Sequence, residues 1–276
     1  MPELPEVEAT RRSTAPALEG CRVVDVHIAR TRMLRRQANP DDFGRRLVGR
    51  RIEHAGRHGK FLMTTLDDDM IWVTHLGMSG RISLVATSDP VVPHSNVIVS
   101  LESGIDFRFI DPRTFGFVAA LTPQELEESS MAKLGRDALT DLPRSPELAR
   151  LLSGRTAPLK ALLLDQGILA GIGNIYADES LHRARISPLR PGGTLSTEEV
   201  KALRKAISAT LQHALRHGGT SLDDLAYLLP DGRTGDFVGR LRAYGREGEG
   251  CRRCSGEIKR IVIRGRSSFW CEGCQR

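Results

Sequence analysis

The sequence predicts an α+β protein in which strands and helices occupy separate parts of the chain. Three observations favour this class. Short alternating strand patterns fill residues 22–121, helical patterns follow from 123 to about 230, and the tail carries four of the five cysteines. A chain of 276 residues is long for one hydrophobic core and sufficient for two domains. We therefore expect a β domain, a helical domain and a small cysteine-bearing end.

The chain opens with a helix start that could carry chemistry. Pro2 and Pro5 fall where proline is tolerated, at or just inside the first turn. Glu3 and Glu6 lie three residues apart and so share one helix face. If Met1 is removed, Pro2 becomes a free secondary amine, which is a nucleophile able to form a Schiff base. The simpler interpretation of these residues alone is a capped helix start with solvated acids.

Closely spaced strand patterns follow this helix. Val24, Val26 and Ile28 alternate with polar residues in the first pattern. The remaining predicted strands are 61–66, 70–73, 82–85, 97–101, 105–110 and 115–121. Several strands without intervening helices favour an antiparallel sandwich or barrel. Residues 86–95 have the composition of a loop.

The helical part is clearest near residue 200. Ser196 and Glu199 form a capping box, and Gly218-Gly219 ends the helix. One face of this helix is apolar, formed by Val200, Leu203, Ile207, Leu211 and Leu215. Shorter helices fit residues 124–134, 146–152, 158–165 and 175–184.

Basic residues are concentrated in two zones of an otherwise balanced chain. The net charge is +6; residues 233–276 hold 11 Lys+Arg against 5 Asp+Glu, and residues 30–60 hold 10 against 3. These zones favour a polyanionic partner, although two solvated faces would give the same counts. No apolar run approaches the ~18 residues of a membrane span, and the acidic start lacks the apolar core of a secretory signal. We expect a cytoplasmic protein without a membrane partner.

The tail has the spacing of a metal site. Two C-x2-C pairs are separated by 16 residues, and their members are Cys251, Cys254, Cys271 and Cys274. Four thiolates complete a closed tetrahedron around Zn²⁺, so the sequence predicts one structural zinc ion. Disulfides are the alternative, which a cytosolic setting disfavours. Between the pairs, two strands flank a basic turn, where Arg266 could fork two phosphate oxygens or be an ordinary exposed arginine.

A second candidate anion site lies in residues 171–179. Gly171 and Gly173 precede a helix, and backbone N–H groups at such a start can point at a phosphate. Asn174 stands where a helix N-cap would be. Alone, this G-x-G-N pattern is weak, because many helix pairs are joined in this way.

Five motifs in order give the chain a family resemblance. They are MPELPEVE at the start, HLGMSG at 75–80, DPRTFG at 111–116, GIGNIYADE at 171–179 and the four-cysteine tail. Together they resemble the formamidopyrimidine-DNA glycosylase family, and Leu4 matches its Fpg branch rather than its endonuclease VIII branch. The resemblance implies a two-layered β-sandwich with an N-terminal helix (1–122), a helix–two-turns–helix domain (123–241) and a zinc hairpin (242–276). It also implies a bacterial, nucleoid-associated monomer.

The resemblance implies a bifunctional DNA glycosylase and AP lyase of base-excision repair. Such an enzyme excises 8-oxoguanine and formamidopyrimidines from double-stranded DNA and then cuts the strand. Pro2 would attack C1′ of the damaged nucleotide, Glu3 would act as general acid/base, and Glu6 would support it. Lys60 would contact phosphate and promote β-elimination, and Arg266 would grip phosphates and assist δ-elimination.

The remaining implied roles concern DNA binding. Asn174 and Lys160 match phosphate-binding positions, and His94 aligns with a DNA contact. The residues that would fill the gap left by an extruded base are Met78, Arg113 and Phe115. Residues 218–237 correspond to a loop that closes over the lesion. Thr114, Asn96 and Thr156 depart from residues common in relatives, and these departures concern DNA affinity.

Two alternatives remain from the sequence. The same chemistry could act on oxidised pyrimidines, as in the endonuclease VIII branch. The chain could also be a zinc-dependent DNA-binding homologue without catalysis. The second alternative would require a blocked or altered amine, whereas Pro2, Glu3 and Lys60 are all present.

Overall fold

The structure, a computed structural model, describes residues 2–221 and 227–276. The chain divides into two compact units. An N-terminal unit comprises Met1–Lys133 and His217–Val238, and a C-terminal unit comprises Leu134–Arg216 and Gly239–Arg276. The first unit contains antiparallel sheets and the second contains helices and a cysteine-bearing hairpin, which confirms the predicted α+β class. The three-domain division drawn from the sequence stays a prediction.

Helix α1 (Leu4–Leu18) opens the N-terminal unit, with Glu3 as its N-cap. A second short helix, α2 (Asp42–Leu47), buries Phe43 and Leu47. Helix α3 (Pro123–Glu128) closes the sheet-bearing segment and starts with a capping box between Thr122 and Glu125. The capping residues satisfy backbone N–H groups that a helix start leaves without partners.

Among the described residues of the N-terminal unit, eight strands form two antiparallel four-stranded sheets. The strands are β1 (Val23–Ile28), β2 (Ile52–His58), β3 (Phe61–Leu66), β4 (Ile71–His75), β5 (Arg81–Ala86), β6 (Ser95–Leu101), β7 (Ile105–Ile110) and β8 (Phe117–Leu121). Their orders are β1-β6-β7-β5 and β2-β3-β4-β8. One apolar core draws on both sheets, and within it Trp72 and Phe107 pack edge to face at 4.7 Å. The sandwich expected from the strand pattern is therefore confirmed.

The C-terminal unit is mainly helical. Its elements are β9 (Arg136–Asp137), α4 (Ser145–Leu152), α5 (Leu159–Leu164), β10 (Leu169–Ala170), α6 (Asn174–Ala184), α7 (Thr197–Arg216), β11 (Lys259–Ile263) and β12 (Arg266–Trp270). Strands β11 and β12 form an antiparallel hairpin, whereas β9 and β10 pair in parallel. Among the described residues, no helix combines the length and apolarity that crossing a bilayer requires.

Candidate active site and nucleic-acid interface

The first turn of α1 is bound to a later segment of the same unit. Glu6 Oε2 accepts a hydrogen bond from the Glu3 N–H at 2.8 Å, and Glu6 Oε1 accepts one from the Thr220 N–H at 2.7 Å. The Tyr227 hydroxyl donates to the Glu6 carbonyl at 3.1 Å. Glu3 and Glu6 are each 1% exposed. Two buried carboxyl groups therefore follow Pro2 in a fixed arrangement.

A glycine makes the contact with Thr220 possible. Gly219 has φ of +84°, and a Cβ built there would lie 2.5 Å from Glu6 Oε1. Both the backbone conformation and the close approach disfavour a side chain at this position. The predicted lesion-closing loop, 218–237, includes this glycine, but its residues 222–226 lie outside the described part of the chain.

Glu8 connects α1 to the turn that carries Lys60. Burial works to raise the pKa of Glu8, but side-chain hydrogen bonds outweigh it and lower the pKa to about 2; the donors are Arg11, Arg12 and Arg57. Arg57 Nε lies 3.0 Å from Glu8, and its Nη1 donates to the Gly59 carbonyl at 2.8 Å. The ion pair therefore fixes the backbone immediately before Lys60.

His75 lies close to Lys60, and the sequence interpretation gave it no role. Burial, followed by the positive charges of Lys60 and two nearby arginines, lowers the pKa of His75 to about 4. Its ring stacks on Phe117 with centroids 5.4 Å apart. The Gly77 N–H donates to Nδ1 at 3.2 Å, so the neutral ring carries its proton on Nε2. The sequence signal that could have identified His75 is its position as the first residue of the HLGMSG motif.

The residues expected to fill an extruded-base gap come from two loops of the N-terminal unit. Met78 is 38% exposed and Phe115 is 41% exposed, so both apolar side chains face solvent. The Arg113 guanidinium lies 4.8 Å above the Phe115 ring. A Cβ on Gly77 would lie 2.4 Å from the Gly116 nitrogen, so the two loops touch through their backbones.

Buried polar groups hold the loop that carries Phe115. Asp111, which is 0% exposed, accepts bonds from the Ser79 hydroxyl at 2.6 Å and the Gly116 N–H at 2.7 Å. The Arg35 guanidinium donates to the Phe115 carbonyl at 2.6 Å. Hydrogen bonds to Asp111 and Arg35 therefore hold the loop that carries the exposed ring.

Three further residues of this region have defined positions. Asn96 is 3% exposed and donates to the Asp111 carbonyl at 2.7 Å, so its side chain is a buried support rather than a surface group. His94 is exposed, with φ of +66°, and its carbonyl accepts the Asp111 N–H. Thr114 has φ of +53°, a strained conformation for a β-branched residue.

In the C-terminal unit, the glycine-rich segment leads directly into α6. Gly173 is the N-cap and Asn174 is the first helical residue, so the predicted N-cap position of Asn174 is wrong by one residue. Gly171 has φ of +106°, and Gln166 holds it by accepting its N–H at 2.9 Å. Because Gly173 has no side chain to cap α6, the first turn of this helix begins without a side-chain cap.

Lys160 does not reach the surface. Its side chain is 0% exposed, and Nζ donates to Asp178 Oδ1 at 2.6 Å and to the Asn174 carbonyl at 2.9 Å. Burial raises the pKa of Asp178 to about 6, against the opposing charge of Lys160. The structure therefore contradicts the expected phosphate contact of Lys160. An ammonium group that the protein encloses cannot touch the backbone of a bound DNA.

The four tail cysteines converge as a zinc site requires. Their sulfur atoms all lie within 4.8 Å of one another, with Cys251 and Cys274 at 3.9 Å and Cys254 and Cys271 at 3.5 Å. A tetrahedral ion with Zn–S bonds of about 2.3 Å separates its sulfurs by about 3.8 Å, so the set fits one ion. His182 Nε2 lies 3.4 Å from the Cys251 sulfur, a typical contact for a group that orients a metal ligand.

Arg266 begins the second strand of the cysteine hairpin. The turn before it consists of Arg264 and Gly265, with φ of 46° and 75°, and Ile263 pairs with Arg266 across it. This is a tight two-residue hairpin turn. The Arg266 side chain is exposed beside this turn, at the end of the hairpin. A guanidinium in this position is able to bind a phosphate.

Three stretches of the chain match the models of known protein families. Residues 1–118 match the formamidopyrimidine-DNA glycosylase N-terminal domain, and residues 134–225 match the H2TH domain of the same family. Residues 248–276 match a zinc finger found in Fpg and isoleucyl-tRNA synthetase proteins. The tail is thus a zinc finger whose four cysteines suit one structural zinc ion.

Full-length relatives and solved structures agree with these matches. A formamidopyrimidine-DNA glycosylase of Beijerinckia indica is 42% identical, and one of Geobacillus kaustophilus is 37% identical, each over 100% of both chains. The crystal structure of the MutM (Fpg) protein of Thermus thermophilus superposes with a TM-score of 0.88 at 39% identity, covering 99% of this chain and 98% of that one. A Lactococcus lactis Fpg variant bound to Fapy-dG-containing DNA gives 0.90 at 29% identity over 100% of both chains. The chain therefore belongs to the formamidopyrimidine-DNA glycosylase family and is a DNA glycosylase of base-excision repair.

Proposed function

We propose that the protein is a bifunctional glycosylase and AP lyase that removes oxidised purines from duplex DNA, with Pro2 as its nucleophile. The observation that carries this proposal is the Glu6 carboxylate, which binds the Glu3 N–H and the Thr220 N–H together. That arrangement gives the residue after Pro2 a fixed, buried position. The proposal requires that Pro2 be the first residue of the mature chain, because an amide nitrogen is not nucleophilic.

The chemistry follows from an amine beside a buried carboxyl group. The Pro2 nitrogen forms a bond to C1′ as the bond from C1′ to the damaged base breaks, and the base leaves with a proton. Glu3 serves as general acid/base for base departure and sugar ring opening, which yields the Schiff base. Removal of a C2′ proton then expels the 3′ phosphate, and a second elimination expels the 5′ phosphate. Lys60 assists the first elimination and Arg266 the second.

The substrate nucleotide must leave the helix before Pro2 can reach it. Flipping costs a few kcal/mol, and inserted side chains offset part of the lost stacking. Met78 and Phe115 are exposed on their loops, and Arg113 can donate to the edge of the unpaired base. His94 and Asn174, the first residue of α6, contact the DNA backbone. We propose that a monomer engages DNA containing oxidised bases or abasic sites in the bacterial cytoplasm.

Borohydride trapping on an 8-oxoguanine:C duplex tests the nucleophile. The native protein should give a covalent adduct, and peptide mapping should locate it on the N-terminal proline. The matched control carries an uncleaved N-terminal extension, which converts the Pro2 amine into an amide and should abolish trapping. An adduct that survives the extension, or maps to Lys60, would contradict the assignment.

Oxidised pyrimidines are the alternative substrate class. One observation keeps this alternative open, since a Lactococcus lactis Fpg has been crystallised with DNA containing an oxidised pyrimidine. Single-turnover excision from duplexes carrying either 8-oxoguanine or thymine glycol separates the two classes. Faster excision of 8-oxoguanine supports the purine assignment, and the reverse order replaces it.

A further inference from the structure

Lys160 and Asp178 form an ion pair that solvent does not reach. Nζ and Oδ1 are 2.6 Å apart, and both side chains are 0% exposed. A phosphate could reach this ammonium only if the groups that enclose it moved. Any effect of Lys160 on DNA binding must therefore act through the groups that surround it.

The Asp178 carboxylate joins three segments of the C-terminal unit. It lies on α6 and receives Lys160 from α5. From β12, the Ser268 hydroxyl donates to Oδ1 at 2.7 Å and the Phe269 N–H donates to Oδ2 at 3.0 Å. Lys160 in turn donates to the Asn174 carbonyl at 2.9 Å. One buried ion pair thus holds the start of α6 and the middle of β12.

Both of these places adjoin a candidate phosphate-binding group. Asn174 opens α6 one turn before Asp178, so the two residues lie on the same helix face. Arg266 lies two residues before Ser268 on β12 and shares its strand face. Asp178 therefore ties the strand that carries Arg266 to the helix that begins at Asn174.

We propose that Lys160 and Asp178 are positioning residues that fix the spacing between Asn174 and Arg266, so that both engage the same DNA backbone. This inference rests on the proposed function, since it takes duplex DNA as the ligand. Removing Lys160 alone leaves the Asp178 carboxylate buried without its ammonium partner, and removing Asp178 alone takes that carboxylate away from the buried ammonium of Lys160. Removing both charges, as Lys160→Met with Asp178→Asn, leaves an amide that can donate to Ser268 and accept from the Phe269 N–H.

Salt-dependent binding to an abasic-analogue duplex tests the proposal with the zinc-loaded protein. Lys160→Met and Asp178→Asn should each weaken binding by about tenfold. The slope of log Kd against log salt should stay at the native value, because no phosphate contact is lost. The double variant should recover most of the native affinity. Arg266→Gln is the control for direct contact and should lower the slope by about 1.

Two results would overturn the positioning role. One is a slope lowered by about 1 in Lys160→Met together with native affinity in Asp178→Asn, which is the pattern of a direct phosphate contact. The other is a folded, zinc-loaded double variant that binds no better than the single variants. If the single variants fail to fold, near-native affinity of the double variant supports the proposal and a lowered slope overturns it. Borohydride trapping of the native protein, measured in parallel, reports on the proposed function separately.

Discussion

Glu6 Oε1 lies 2.7 Å from the Thr220 nitrogen, so a carboxylate in the first turn of α1 binds a backbone group 214 residues later. Its other oxygen binds the Glu3 N–H. A carboxylate can accept both bonds, whereas a glutamine side chain offers one acceptor and would turn its amide protons toward the second N–H. The position therefore requires an acid.

We expect Glu6→Gln to lower both stability and activity. One buried N–H loses its acceptor, which costs about 1–3 kcal/mol of unfolding free energy, and the excision rate should fall by about tenfold or more. Urea unfolding and single-turnover excision measure the two effects. Glu53→Gln, at an exposed position of β2, is the control and should change stability by no more than about 0.5 kcal/mol. Equal effects of the two substitutions would contradict the role of Glu6.

Two glycines with nearly the same φ allow the energetic cost of a left-handed backbone to be distinguished from the cost of a close contact. Gly219 and Gly232 have φ of +84° and +83°, but only Gly219 approaches another group, with a Cβ position 2.5 Å from Glu6 Oε1. Gly232→Ala should cost about 1–2 kcal/mol from the left-handed backbone alone. Gly219→Ala should cost more and also slow base excision. Equal melting temperatures for Gly219→Ala and Gly232→Ala would show that the close contact between Gly219 and Glu6 does not affect stability.

Glu8 should give the protein a pH-dependent stability term. Its pKa is about 2 in the folded protein against an ordinary 4.5. Because the folded value is lower, the stabilisation is complete above about pH 4.5 and is lost as the pH falls toward 2. The difference in unfolding free energy between native protein and Glu8→Gln should be about 2–3 kcal/mol at pH 7 and should shrink by pH 3. A difference in unfolding free energy that stays constant between pH 7 and pH 3 would contradict the low pKa of Glu8.

Zinc removal should unfold the cysteine hairpin and abolish DNA binding. A short ribbon has too little apolar core to fold without its metal. A chromophoric chelator should report about one zinc ion released per chain, with loss of duplex binding in parallel. Cys254→Ser should lower the zinc content in the same way. Cys21→Ser changes a cysteine remote in sequence from the four-cysteine set and should leave zinc content and binding intact. Unaltered binding by metal-free protein would be inconsistent with this role.

The elements that escaped sequence prediction lack a regular pattern for physical reasons. Strand β2 contains a register shift between Ile52 and His54, and an irregularity of this kind breaks the alternation of apolar and polar residues. Helix α2 is six residues long and includes Gly44, so propensity alone does not favour it. Strands β3 and β7 were predicted with their observed limits, and their pairings with β4 and β5 contain no register shift.

The same distinction holds for the candidate site. The four cysteines are local motifs, so their spacing was enough to predict the metal. The burial of Lys160 depends on Asp178, and the role of Glu8 depends on Arg57, which is 49 residues away. Pairings of this range are created by the fold, and a lysine or glutamate in the sequence is otherwise expected at the surface.

The tight turn of the cysteine hairpin limits how this part of the gene can vary. Arg266 and Ser268 share one face of β12, and Ser268 is bound to Asp178. Because strand side chains alternate between faces, one codon inserted between them would turn the arginine to the opposite side. Two codons would restore its direction. The orientation of Arg266 therefore depends on whether the number of residues between it and Ser268 is odd or even. Substitutions leave this orientation unchanged, whereas an insertion or deletion of an odd number of residues reverses it.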